Sequence, residues 1–425
     1  MYPNLYFAFR DMFGVEWKGL RFINSFGFFV AIAFIVAAFF LIKELKRKEA
    51  AGLLKYTEVK ITYGKPASFL DLAINFVLGF LLGYKFIGLF FAEPEAAADP
   101  QAFIFSSQGN WAIGFLLAIV FTIIKWWEKN KFKLAKPEVR TIRIWPHDRV
   151  GDIIIFAALF GFLGAKIFHN LENLDEFTKN PIEALLSFSG LTFYGGLICA
   201  TAAIWFYARK HQISFKHLCD AAAPALMIAY AVGRIGCQVS GDGDWGILNS
   251  AYIVDQEAKV VPADSSSFKK NLLTNGHFYS LEFKVNSVEE IPHKHVKAPS
   301  WLPVWMVAYQ YPNNVLSHGT PIPGCKDEQY CNKLPSPVFP TPFYETLMAS
   351  LLFLLLWSIR KKFAVPGALF SIYLIVNGIE RFLIESIRVN TTYTIGNFHP
   401  TQAQLISSGL VITGAFLFWW LNKKK

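Results

Sequence analysis

The chain has 425 residues, 53% of them hydrophobic and only 17% charged, against roughly 25% charged in ordinary globular domains. With 42 Phe, 12 Trp and 16 Tyr and several apolar runs near the length of a bilayer crossing, it is no disordered chain, coiled coil or disulfide scaffold but a polytopic helical membrane protein. The 41 Lys and Arg exceed the 31 Asp and Glu by a net charge of +10, yet these cations sit at the ends of apolar runs, where they orient helices rather than bind nucleic acid.

After an N-terminal segment, 1–24, the first apolar run is Ser25 to Ile42, closed by Lys43, Lys46, Arg47 and Lys48. No small-residue cleavage site follows, so it reads as a retained helix with a cytoplasmic basic end. Further spans are expected at about Phe69 to Phe91, Trp111 to Trp127, Asp152 to Phe168, Phe193 to Tyr207, Leu218 to Gly236, Phe343 to Ile359, Gly367 to Ile387 and Gln402 to Leu421, which makes nine crossings. With the N-terminus outside and the C-terminus cytoplasmic, each odd-numbered helix must end beside Lys and Arg. The third ends at Lys125, Lys129, Lys131 and Lys133, the fifth at Arg209 and Lys210, the seventh at Arg360, Lys361 and Lys362, and the ninth at Lys423 to Lys425. The loops after the second and fourth spans instead carry Glu93, Glu95 and Asp99, and Glu172, Asp175 and Glu176.

Between the first six crossings (25–240) and the last three (340–425) lies a polar stretch, 245–339, on the exterior side and too long for a simple connection. Alternation in Phe278 to Val285 and in Trp305 to Tyr309 predicts a small β-rich insert. Cys325 and Cys331 lie there, in a compartment that permits a disulfide, whereas Cys199, Cys219 and Cys237 fall in or near helices. His293 and His295 have no third ligand in view and read as a solvated pair.

Two features inside the membrane stand out. Displacing the sequence by 81 residues aligns Asp71 with Asp152, Gly83 with Gly164, Lys85 with Lys166, Ser106 with Ser187, Gly109 with Gly190 and Gly114 with Gly195 without a gap, an internal parallel repeat covering 71–118 and 152–199. Second, Lys85, Lys166, Arg234, Arg381 and Glu385 are ionisable residues within apolar runs. Each costs roughly 2.5–3.5 kcal/mol to place there and needs a partner, a wet cavity or a role. Arg381 and Glu385 share one helix face, which Arg388 continues one turn nearer the surface. Arg234 lies in Gly233-Arg234-Ile235-Gly236, before the glycine-rich turn Gly241-Asp242-Gly243-Asp244-Trp245-Gly246. An Arg fork beside such a turn suits a lipid phosphate.

These residues resemble the bacterial prolipoprotein diacylglyceryl transferase family. The resemblance rests on Phe193-Tyr194-Gly195-Gly196-Leu197-Ile198, then Asp220, Pro224 and Gly233 to Gly236, the acidic-Trp-Gly turn, Pro340-Thr341-Pro342-Phe343-Tyr344-Glu345, and Arg381-Phe382-Leu383-Ile384-Glu385. It covers the first helix and about Arg149 to the C-terminus, with the second and third spans as an addition. It implies transfer of the diacylglyceryl group of phosphatidylglycerol to the lipobox cysteine thiol of a prolipoprotein, at the outer face of the bacterial inner membrane, with release of glycerol phosphate and with no metal or organic cofactor and no nucleic acid.

By the same resemblance, Arg234 and Arg381 are the essential cations, Glu385 the partner of Arg381, and Asp242 or Asp244 the acid of the turn that Gly246 closes. Gly195, Gly196, Tyr344, Glu345, Lys166 and Arg388 complete the expected lipid seat. The family often has His where Tyr194 stands and Asn where Cys237 stands, so the thiol's proton acceptor is open between Tyr194, which is equally readable as a structural tyrosine, and His399. Two other readings stand beside the transferase: a lipid or small-anion transporter, favoured by the repeat and the intramembrane Lys residues, and a thiol-redox membrane protein using Cys325 and Cys331.

Overall fold

The computed structural model describes residues 1–92, 103–104, 106–179, 181–186, 192–255, 257–325, 329–390, 393 and 399–423. In chain order it contains helices α1 (Leu5–Phe13) and α2 (Ser25–Ala50), strand β1 (Thr57–Tyr63), helix α3 (Phe69–Leu81) continued by a π-helical segment Leu82–Ile87, α4 (Trp111–Lys131), β2 (Glu138–Ile144), α5 (Val150–Glu172), α6 (Phe193–Lys210) and α7 (Phe215–Ser240). Then come β3 (Leu248–Asn249), β4 (Tyr252–Val254), β5 (Val260–Pro262), α8 (Ser265–Phe283), β6 (His293–Lys294), β7 (Thr320–Pro321), β8 (Asn332–Lys333), α9 (Thr341–Ile359), α10 (Ala368–Glu385) and α11 (Gln402–Lys423).

Among the described residues, seven helices are long and apolar enough to cross a membrane: α2, α3 with its continuation, α4, α5 with the short turn before it, α7, α9 and α11. This is a multi-pass membrane protein. Helices α6 and α10, where the fifth and eighth crossings are expected, are each 18 residues long but are not among the seven. Glu93, Glu95, Asp99, Ser187, Gly190, Lys424 and Lys425, used above for topology and repeat, lie outside the described residues, as does the side chain of Glu176.

The chain divides into two compact units. One comprises Met1–Phe13, Ile23–Leu41 and Lys216–Lys425; the other comprises Gly14–Phe22 and Ile42–Phe215.

The second unit is built from strand–helix–helix segments. The hairpin of α3 and α4 closes on glycine: a Cβ on Gly83 would lie 2.4 Å from the Ile113 carbonyl oxygen, so only glycine permits that crossing. In the α5–α6 hairpin the same holds at Gly164, whose Cβ would lie 2.5 Å from the Gly195 oxygen, and at Gly195, against Phe168. Strands β1 and β2 form an antiparallel ribbon in which Thr57 pairs with Ile144, Lys60 with Thr141 and Tyr63 with Glu138. The two strands are themselves 81 residues apart, position for position, and Lys60 pairs with its own counterpart, so the register has a local two-fold at that point. Lys85 is committed structurally: its Nζ donates to the carbonyls of Phe103 (3.1 Å), Ser106 (2.5 Å) and Gln108 (2.6 Å).

The first unit packs α7, α9 and α10 around Ala223, Met227, Ala231, Ala349, Phe353, Leu356 and Leu369. Phe40 of α2 stacks edge-on against Phe353 and Trp357 at 4.8 and 5.0 Å. The Asp220 carboxylate accepts from the Gly367 and Phe370 amides at 2.8 and 3.0 Å, satisfying orphan N–H groups at the start of α10. Helices α10 and α11 cross at Gly378 and Gly414, where a Cβ would meet the Ser407 and Ser371 oxygens at 2.7 and 2.8 Å.

Also in this unit, the 245–339 insert departs from the β-rich expectation. Its strands are two or three residues long, and Phe278 to Phe283, read as a strand from its alternation, ends the 19-residue helix α8. The wider spacing decides it: Phe268, Leu272, Gly276, Tyr279 and Phe283 are buried at three- and four-residue intervals, a helical period that the short alternating window hides. Trp305 and Met306 likewise lie in a 3-10 turn, and only Tyr309 bridges to Val338. The insert's core joins Trp245, Leu248, Tyr279, Ile291, Tyr311, Leu334 and Val338. Fully buried Asn249 satisfies itself by donating to Val296 O and Val307 O and accepting from the Ala251 and Val296 amides. Cys325 and Cys331 are bonded as a disulfide.

Candidate active site

A turn and three helix segments of the first unit bring seven charged or polar groups together. Helix α7 supplies Tyr230 and Arg234, the following turn supplies Asp244, α9 supplies Glu345, and α10 with the residues after it supplies Arg381, Glu385 and Arg388. The hub is Glu345, whose side chain is fully buried. Its Oε2 lies 3.2 Å from Arg234 Nε and 3.5 Å from Arg388 NH1, and its Oε1 lies 3.2 Å from Arg381 NH1. The Tyr230 hydroxyl donates to Oε1 at 3.0 Å. Arg234 also pairs with Asp244 Oδ2 and lies over the Tyr230 ring. Arg388 NH2 meets Asp244 Oδ1 at 2.7 Å. Arg381 NH2 meets Glu385 Oε2 at 3.1 Å, as the four-residue spacing predicts, and Glu385 Oε1 is held by Asn390 Nδ2 and the Thr401 hydroxyl.

The local backbone explains why the turn can sit there. Gly241 and Gly243 have φ of 65° and 95°, a region that favours glycine. The Gly246 amide donates to Phe339 O at 2.9 Å and the Ile247 amide to Ile387 O at 2.9 Å, which stitches the turn between the approaches to α9 and the end of α10. A Cβ on Gly246 would lie 2.5 Å from the Ile387 oxygen. The Thr341 hydroxyl, at the start of α9, donates to the Asp244 carbonyl.

Electrostatics sort the two acids of the turn. Burial by itself would raise the Asp244 carboxyl, but Arg388 and Arg234 outweigh it and hold the group below the ordinary carboxylate range. Burial pushes the Asp242 carboxyl up, and no guanidinium sits close enough to reverse it. Cys237, Asp242 and Asp244 have donor atoms within 4.8 Å of one another. Both Asp244 oxygens already face guanidinium groups, so Asp244 itself is engaged by cations of the protein.

Of the residues expected from sequence, Arg234, Arg381, Glu385, Asp244, Glu345 and Arg388 are assembled here, with Asp242 and Gly246 in the adjoining turn. Tyr344 points elsewhere within the unit, its hydroxyl donating to Met306 O at 2.6 Å. Tyr194, Gly195, Gly196 and Lys166 belong to the second unit, where the two glycines serve the crossing of α6 on α5: a Cβ on Gly196 would lie 2.9 Å from Gly161 O. Lys166 is buried on α5. His399 is described, though most of the segment before it is not. The sequence reading missed Tyr230 and the central place of Glu345. The rule that flagged Arg234 and Arg381, an ionisable group within an apolar helix, applies equally to Glu345 and to Glu380.

Comparison with known sequences gives the family. The prolipoprotein diacylglyceryl transferase pattern matches residues 110–420, so the chain belongs to that family and is a transferase. The match begins before Arg149 and takes in α4, which the sequence reading had set apart as an addition. The transporter reading is set aside. A phosphatidylglycerol–prolipoprotein diacylglyceryl transferase of Dehalococcoides mccartyi is 23% identical over 336 residues, 78% of this chain and 96% of that protein. Proteins of the same name from Lysinibacillus sphaericus and Leptospira interrogans are 24% and 26% identical, covering 64% and 57% of this chain and 77% and 63% of their own lengths.

Proposed function

We propose that the protein transfers the diacylglyceryl group of phosphatidylglycerol to the lipobox cysteine thiol of a prolipoprotein, releasing glycerol phosphate, the first step of lipoprotein maturation. The observation that carries this is the convergence of three guanidinium groups, Arg234, Arg381 and Arg388, on the single carboxylate of Glu345. A phosphodiester entering there meets three clustered guanidinium groups, the side chain best suited to phosphate oxygens. The sulfur attacks the glyceryl carbon next to the phosphate ester oxygen; the S–C bond forms, the C–O bond breaks, and its electron pair leaves on phosphate. Preorganised cations stabilise that growing charge. The nucleophile belongs to the substrate, and a thiolate attacks only once its proton has been removed.

In this reading nine crossings, N-terminus outside, place the cluster toward the extracytoplasmic leaflet of a bacterial inner membrane, with the lipid entering between helices and the peptide from outside. Arg234 and Arg381 are catalytic, and Asp244, Asp242, Gly246, Glu345, Glu385 and Arg388 shape the headgroup seat. Purified protein in phosphatidylglycerol nanodiscs should release glycerol phosphate only when a lipobox cysteine peptide is present. Arg234→Gln and Arg381→Gln should each lose that release while inserting normally; undiminished turnover in both, or release without the thiol, defeats the reading.

A further inference from the structure

One buried acid in the first unit has no part in the network above. Glu380, on α10 immediately before Arg381, is 3% exposed, and neither of its carboxyl oxygens has a hydrogen-bond partner among the described residues. It is no bystander, because it feels the charges of Glu345, Arg381, Arg234 and Arg388, and acts in turn on Tyr230 and Tyr373. Every other carboxylate of the cluster is spoken for: Asp244 by two guanidiniums, Glu345 by three and by Tyr230, Glu385 by Arg381, Asn390 and Thr401. A proton moved onto any of these would cost an ion pair.

An unpaired carboxyl at membrane depth is expensive to keep, and a cost of that kind is retained when the group has a task. The transfer reaction has one vacancy, since the thiol's proton must go to a base beside the phosphate-binding cations. We propose that Glu380 is the proton acceptor for the lipobox thiol. This rests on the transfer reading above. In the step, the S–H proton passes to the Glu380 carboxylate as the S–C bond forms and the C–O bond to phosphate breaks; the electron pair departs on glycerol phosphate, and Glu380 later returns its proton to that product or to water. Glu380 then fills the role left open between Tyr194 and His399.

The test compares two lipobox peptides, one with cysteine and one with selenocysteine, whose selenol is already ionised at neutral pH and needs no base. With full-length protein in phosphatidylglycerol nanodiscs, Glu380→Gln should turn over the cysteine peptide about 100-fold more slowly than the native protein. The selenocysteine peptide should lose about tenfold or less, and raising the pH past the free thiol's value of about 8.5 should restore part of the cysteine rate. Glu380→Asp should keep more activity than Gln. An equal loss on both peptides assigns Glu380 a merely structural role and overturns the proposal, as does an undiminished cysteine rate. If the native protein transfers to neither peptide, the transferase reading itself fails and Glu380 with it.

Discussion

Glu345 is a single buried carboxylate answering to three arginines, and that inequality governs what its loss would do. Taking one charge from a buried ion-pair network leaves the others uncompensated, which costs roughly 3–5 kcal/mol where the groups are well buried. Arg234, Arg381 and Arg388 keep 12% to 27% exposure, so solvent relieves part of this. We expect Glu345→Ala to destabilise the protein by about 2–4 kcal/mol, visible as a lower unfolding temperature in detergent, and to abolish transfer. Glu345→Gln, which keeps shape and one acceptor, should fold closer to native yet still lose transfer, because three guanidiniums are then left to share Asp244 and Glu385 and repel one another out of register. Full activity in the Gln variant would show that Glu345 does not organise the site.

At the scale of elements, the acidic turn is clamped between the approach to α9 and the end of α10. Gly246 is where the clamp is tightest, with Ile387 O, Thr341 Cγ2 and Phe339 Cβ at 2.5, 2.8 and 3.1 Å from any added Cβ. Two of these neighbours are backbone or stem atoms that cannot swing away. Gly246→Ala should therefore cost about 1–3 kcal/mol and, by pushing the turn off the Ile387 carbonyl, separate Asp244 from Arg388. The measurable outcome is a lowered thermal midpoint together with a fall in lipid transfer; Gly243→Ala, beside only the flexible end of Leu316, should disturb packing less, though its positive φ still carries strain. The helical period of α8, visible across Phe268 to Phe283 and obscured within Phe278 to Val285, shows at the same scale why a short window misreads an element whose buried face repeats over four turns.

For the whole molecule, the nine-crossing arrangement with the insert outside makes a concrete demand. Cysteines placed at the exposed positions Lys259, in the insert, and Lys423, at the end of α11, should lie on opposite faces of the membrane. A membrane-impermeant maleimide added to intact spheroplasts should label Lys259→Cys and reach Lys423→Cys only after permeabilisation. Labelling of both from one side would break the topology, and with it the side on which the headgroup cluster acts.

Membrane residence, the positions of the long helices, the presence of Arg234 and Arg381 as cations in need of partners, and the Arg381–Glu385 pair were all legible from the chain alone. These depend on local quantities: the length of apolar runs, the cost of a charge in hydrocarbon and the three- to four-residue spacing of one helix face. Folding alone decided the rest. Glu345 and Arg388 stand 36 to 144 residues from the partners they meet in other segments, and the Glu380 carboxyl has no hydrogen-bond partner among the described residues. Which charge faces which across three helices is set by long-range packing, and no spacing within a single segment encodes it.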